Sequence, residues 1–118
     1  MIGRWHGLIV DCPDPSALAT FYQELLGMVR VQDDGDFVVI GDAPDRPGVA
    51  FQRVSRFVPP RWPDGDPPQQ MHLDVRVDDL DAAEQRVLAI GATRLDGGSP
   101  SLRVFADPAG HPFCLVSW

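Results

Sequence analysis

Three polar side chains alternate along one short run of the chain, His72-Leu73-Asp74-Val75-Arg76-Val77. In an extended strand successive side chains point to opposite faces. His72, Asp74 and Arg76 therefore share one face, and Leu73, Val75 and Val77 take the other and pack against a helix. His72 and Asp74 would stand about 6.6 Å apart at Cα, which suits two groups facing one ligand better than a directly bonded acid–base dyad. An imidazole in that place offers a general base or a metal ligand. Asp74 and Arg76 can neutralise each other, or Arg76 can recognise a ligand. Just upstream, Trp62 either pins its stretch of chain to the body of the protein or a partner subunit, or covers the mouth of a binding site. His111, in a Gly-His-Pro sequence, reads as part of a turn, and Trp5 and Trp118 read as packing or dimer anchors.

Composition removes several chemistries. The 118 residues contain ten Arg, no Lys, fifteen Asp and two Glu, for a net charge of -7. Without lysine there is no Schiff base, no lysine general base and no phosphate-loop lysine. An acidic chain is also poorly suited to nucleic acid, whose binding depends on cations meeting phosphates. No run of 18 apolar residues is present to span a membrane, and the only apolar stretch near the start, Leu8-Ile9-Val10, is too short for a signal peptide. Cys12 and Cys114 are expected as thiols rather than a bridge, in a cytoplasmic protein.

The elements that hold these residues come in two matching sets. Gly7–Cys12 reads as a strand. Asp14 then caps a helix with Pro15 at its first position, the apolar face Leu18, Phe21, Tyr22, Leu25 and Leu26, and a left-handed stop at Gly27. Three strands follow, Val29–Gln32, Phe37–Ile40 and Val49–Val54, with turns at 34–36 and 44–48. The second set opens with the strand 72–77. Asp79 then caps a helix with the face Leu80, Ala83, Val87 and Leu88, ending at Gly91. Strands Thr93–Leu95, Leu102–Ala106 and Pro112–Ser117 complete it, with turns at 97–99 and 107–110. The caps are 65 residues apart and the stops 64. The order is βαβββ twice: one α+β domain over 1–118, with module one roughly 4–54, a Pro-rich linker 55–70 and module two 71–118. Five prolines among sixteen linker residues impose a stiff, extended crossing.

Two βαβββ modules, a capped helix ending Phe21-Tyr22…Leu25-Leu26-Gly27, and the closing Asp107-Pro108-Ala109-Gly110-His111-Pro112-Phe113 resemble the vicinal oxygen chelate superfamily. That superfamily contains glyoxalase I, bleomycin-resistance proteins, extradiol dioxygenases and fosfomycin-resistance enzymes, and the resemblance is greatest to its small glyoxalase-like subfamily. It implies half-open sheets around a cleft, a homodimer, and, in metal-dependent members, one ligand on the first and fourth strands of each module. Carried over residue by residue, those positions fall on Gly7, Gln52, His72 and Cys114. His6 is one place out of register and turned to the other face. The set contains no carboxylate for a hard cation, and the two Glu, Glu24 and Glu84, both belong to helices. We therefore expect no full metal site, and if a divalent metal binds, Gln52, His72 and Cys114 would hold it. Cys114 beside His72 also suggests a thiolate–imidazole pair.

The resulting expectation is a glyoxalase-like protein that binds a small organic molecule through Gln52, His72, Asp74, Arg76, Cys114 and Trp62. One alternative is a lyase or isomerase of the glyoxalase type with His72 as catalytic base or metal ligand. Another is a non-catalytic accessory domain.

Overall fold

A computed structural model describes residues 1–118, which fall into two compact units, Met1–Phe57 and Val58–Trp118. The Pro-rich stretch from Val58 onward belongs to the second unit.

In the first unit, β1 (Leu8–Cys12) and α1 (Pro15–Leu26) are followed by β2 (Val29–Asp33), β3 (Phe37–Ala43) and β4 (Arg46–Arg53). The helix begins and ends as its residues dictate. Asp14 Oδ1 accepts the Ala17 N–H at 3.1 Å, Pro15 occupies the first turn, and Gly27 adopts φ 68° while donating its N–H to Gln23 O at 2.9 Å. Leu18, Phe21 and Tyr22 are buried on the sheet, where Tyr22 stacks on Phe51 with ring centroids 5.3 Å apart. The strand order is β1-β4-β3-β2, with β1 parallel to β4 and the other pairs antiparallel.

The second unit repeats the plan. β5 (Leu73–Arg76) and α2 (Leu80–Ala89) precede β6 (Thr93–Ser99), β7 (Leu102–Ala106) and β8 (Pro112–Val116), in the order β5-β8-β7-β6 with β5 parallel to β8. Asp79 caps α2 by accepting the Ala82 N–H at 3.1 Å. Arg103 ties the helix to the sheet through Asp81 (2.6 Å) and Glu84 (3.2 Å), and Phe105 stacks on Phe113 at 5.7 Å. Each unit is thus a βαβββ module with a four-stranded mixed open sheet, and the class is α+β.

Three details differ from expectation. Leu88 is 39% exposed, because it lies about 100° around the helix from buried Val87; Ala92, just beyond the helix, is buried. β4 starts at Arg46, so the turn at 44–48 shrinks to Pro44 and Asp45. β6 continues through Gly97, Gly98 and Ser99, with the turn at 100–101 instead. Both glycines have positive φ (100° and 113°), and they let the strand pass an irregularity in its ladder rather than end.

Candidate functional site

Sheet register gathers the reactive side chains of the second unit. β5 runs parallel to β8 with Asp74 opposite Cys114 and Arg76 opposite Val116. His72, two residues before Asp74, lies on the same face and places Nε2 3.5 Å from Asp74 Oδ1. The donor atoms of His72, Asp74 and Cys114 all lie within 4.8 Å of one another. The pairing partner of Asp74 is therefore His72 rather than Arg76, and the carboxylate that the ligand positions lacked arrives from the neighbouring strand. Sequence reasoning placed Asp74 on the right face but did not bring it to Cys114. The missing signal was the cross-strand partner, which only the β5–β8 ladder supplies.

Burial separates the three groups. His72 and Asp74 are partly solvated, whereas Cys114 is 2% exposed and packs with Val104 and Val116. Burial, then the nearby charge of Asp74 and a hydrogen bond to it, push the Cys114 thiol up to about 11. Around neutral pH it is a thiol, so a ready thiolate–imidazole nucleophile is not what this arrangement offers. At pH 8 we expect Cys114 to be alkylated by iodoacetamide more slowly in the folded chain than in urea, as read by mass spectrometry of the labelled peptide. Equal rates would contradict the raised value.

Trp62 closes one side of this group. Its indole N–H donates to Asp96 O at 2.7 Å, and its ring meets His72 edge-on with centroids 6.4 Å apart. The same ring packs against the Val104–Cys114–Val116 cluster. The loop carrying it is held where the Arg61 N–H donates to Pro67 O at 2.8 Å. Trp62 thus pins the Pro-rich stretch to the second sheet. His111 is taken up by its turn, with Nδ1 2.7 Å from Asp107 Oδ2. Glu84 is occupied by Arg94 and Arg103.

The first unit carries different chemistry on the sheet face turned away from α1. A cavity of about 290 Å³ lies over Ile9, Val39 and Ala50, beside Phe37, with His6 and Gln32 contributing polar groups. Register also revises the correspondence drawn by counting. β1 pairs with β4 so that Ile9 faces Ala50 and Asp11 faces Gln52. If Gly7 answers to His72, Ile9 answers to Asp74, and Ala50, not Gln52, answers to Cys114. Gln52 matches Val116 and is not part of the cavity wall. The ladder between β1 and β4 sets this relation, and spacing from the helix cap does not fix it. The first module's equivalents of His72 and Cys114 are then glycine and alanine. Gly7 is also tightly placed, since a Cβ there would meet Gly48 O at 3.0 Å.

Comparison with known proteins agrees with the repeated module. A family profile described as a glyoxalase-like domain matches residues 7–116. The chain belongs to the glyoxalase-like domain family. No curated protein matches the sequence. Among solved structures, this glyoxalase-like domain is similar to a glyoxalase/bleomycin resistance protein/dioxygenase family enzyme from Burkholderia phytofirmans, at TM-score 0.71 and 16% identity over 95% of this chain and 96% of that one. It is similar to a glyoxalase-related enzyme from Fulvimarina pelagi, at TM-score 0.71 and 18% identity over 99% and 89%. It also resembles the fosfomycin resistance protein FosX from Listeria monocytogenes, solved with Mn(II) and 1S,2S-dihydroxypropylphosphonic acid, at TM-score 0.72 and 13% identity over 99% and 91%. At these identities the likeness establishes the glyoxalase-like fold. No helix of the domain is long and apolar enough to cross a membrane.

The donor set can be tested against a hard cation such as Mn²⁺, which favours several oxygen ligands. The four positions carry glycine, alanine, imidazole and thiol, with one carboxylate, Asp74, beside them. A four-ligand, oxygen-rich centre does not fit these residues.

Proposed function

We propose that this chain binds a small organic molecule, with the apolar body of the ligand seated over Ile9, Val39 and Ala50, and that it does so without the four-ligand metal centre of metal-dependent family members. The observation that carries this reading is the cavity of about 290 Å³, floored by apolar side chains where the second module has Asp74 and Cys114. Small-molecule sites are concave and mostly apolar with a few polar groups, and they begin at roughly 300 Å³. Gln32 and His6 supply the polar groups here. Gln32 Nε2 is held by Asp34 Oδ2, which leaves its amide oxygen as an acceptor for a ligand donor. Neutral or cationic aromatic compounds suit a chain of net charge -7 better than strongly anionic ones.

The test is a titration of isotopically labelled protein with a panel of neutral and cationic one- and two-ring aromatics. Amide shifts should concentrate at Ile9, Val39 and Ala50. A panel that moves no resonance, or moves only those of the second unit, overturns the reading.

A second reading, a lyase or isomerase of the glyoxalase type, is favoured by the partly exposed His72 ring 3.5 Å from Asp74. A partly exposed imidazole beside a carboxylate can take a proton from a bound substrate. If such turnover is found, His72→Ala should lower kcat by about 100-fold or more. Unchanged turnover would remove His72 from the chemistry.

A further inference from the structure

We propose that the cavity of the first module takes a neutral fused-ring heteroaromatic of the indole class, with the ring N–H donated to the Gln32 side chain. The assignment rests on the reading of that cavity as a small-molecule site, and it specifies the ligand. Its basis is internal to the chain, because the second module fills the corresponding place with an indole of its own. Trp62 packs on Val104, Cys114 and Val116, as do Leu95 and Leu102, and its N–H donates to Asp96 O at 2.7 Å. The ladders carry these positions over to the first module. Val104 pairs with Cys114 as Val39 pairs with Ala50, and Leu102 pairs with Val116 as Phe37 pairs with Gln52. Arg94 pairs with Phe105 as Arg30 pairs with Ile40, so Leu95 answers to Val31 and Asp96 to Gln32. Val31, Gln32, Phe37, Val39 and Ala50 all line the cavity. Gln52, the counterpart of Val116, stands outside its wall.

The same hollow is thus plugged by a side chain in one module and open in the other. Where the residues differ, they favour a ligand. Val31 for Leu95 and Ala50 for Cys114 are smaller side chains and leave room. Phe37 for Leu102 adds a ring, and contacts between aromatic rings are worth more than their area alone. An indole N–H taken out of water needs an acceptor, since an unpaired donor costs free energy. In the second module that acceptor is Asp96 O. In the first, Gln32 presents its side-chain amide oxygen, while its amide nitrogen is held by Asp34.

Indole, 1-methylindole and benzofuran are each titrated into the full-length, isotopically labelled protein, with dissociation constants read from the amide shifts of Val31, Val39 and Ala50. The three ligands are similar in shape and apolar area, and indole alone carries a ring N–H. We expect indole to bind about 10-fold more tightly than either of the others, the effect of one hydrogen bond whose loss leaves an acceptor unpaired. Gln32→Ala, at an exposed strand position, should weaken indole to the level of benzofuran and leave benzofuran as it was. A merely structural effect of the variant would weaken all three ligands alike. Benzofuran or 1-methylindole binding as tightly as indole, or an indole preference that survives Gln32→Ala, would overturn the proposal and leave the small-molecule reading standing. If indole and the wider aromatic panel move no resonance, or only those of the second unit, both are overturned.

Discussion

Asp107→Ala is expected to lower the stability of the folded chain by about 3–5 kcal/mol, because it removes the buried acceptor of two backbone N–H groups and an imidazole nitrogen, at about 1–3 kcal/mol for each group left unsatisfied. The Asp107 side chain is fully buried. Its Oδ1 accepts the N–H of Ala109 at 2.8 Å and of His111 at 3.0 Å, and its Oδ2 lies 2.7 Å from His111 Nδ1. Alanine would leave those backbone donors and the ring without the acceptor that folding desolvated for them. For a chain of this size the loss corresponds to a fall in Tm on the order of 10–20 °C. Thermal unfolding and urea titration check it, and a change below about 1 kcal/mol would show the carboxylate to be dispensable. Asp107→Asn, which keeps an acceptor oxygen, should lose less. The consequence reaches the site, because this turn joins β7 to β8 and so sets where Cys114 stands along β5.

Ala50→Phe is expected to weaken any aromatic ligand of the first module by about 100-fold, which is about 2.7 kcal/mol. Ala50 forms part of the cavity floor, and a phenyl ring there would occupy the volume a ligand needs. Since a larger side chain at a buried position can itself cost about 1–3 kcal/mol, thermal unfolding should accompany the titration. Ile9→Arg provides an independent variant at a cavity position that is 54% exposed, where the fold tolerates a charge but an apolar ligand does not. Both variants should lose binding while the chain still unfolds cooperatively. Undiminished affinity in both would relocate the ligand.

What could be read from the sequence divides along a physical line. α1 was legible to the residue, because Asp14, Pro15 and Gly27 act on the backbone within one turn of themselves. The order of strands was legible for the same reason, since each is bounded by its own turn residues. Register was not. It is fixed by hydrogen bonds between segments some 40 residues apart, such as Ile9 with Ala50 and Asp74 with Cys114. Counting along the chain therefore selected Gln52 where the ladder selects Ala50, and left Asp74 out of the donor group it joins. The strand starts at Arg46 and the continuation of β6 through Gly97 and Gly98 belong to the same class. Pairing with a neighbouring strand overrides the local preference of proline and glycine for turns.

The tight approach at Gly7 works against any side chain there. A histidine there would begin with a Cβ 3.0 Å from Gly48 O, an atom of the backbone that cannot swing aside as a side chain can. Placing a ligand in the first module therefore asks for more than new side chains at 7 and 50. The Gly48 backbone would have to give by a few tenths of an ångström. The second module has no such barrier, because His72 and Cys114 already stand at the matching positions. Any experiment in directed evolution that selects this scaffold for metal chemistry should accumulate its changes around residues 72, 74 and 114, and leave the first sheet as it is.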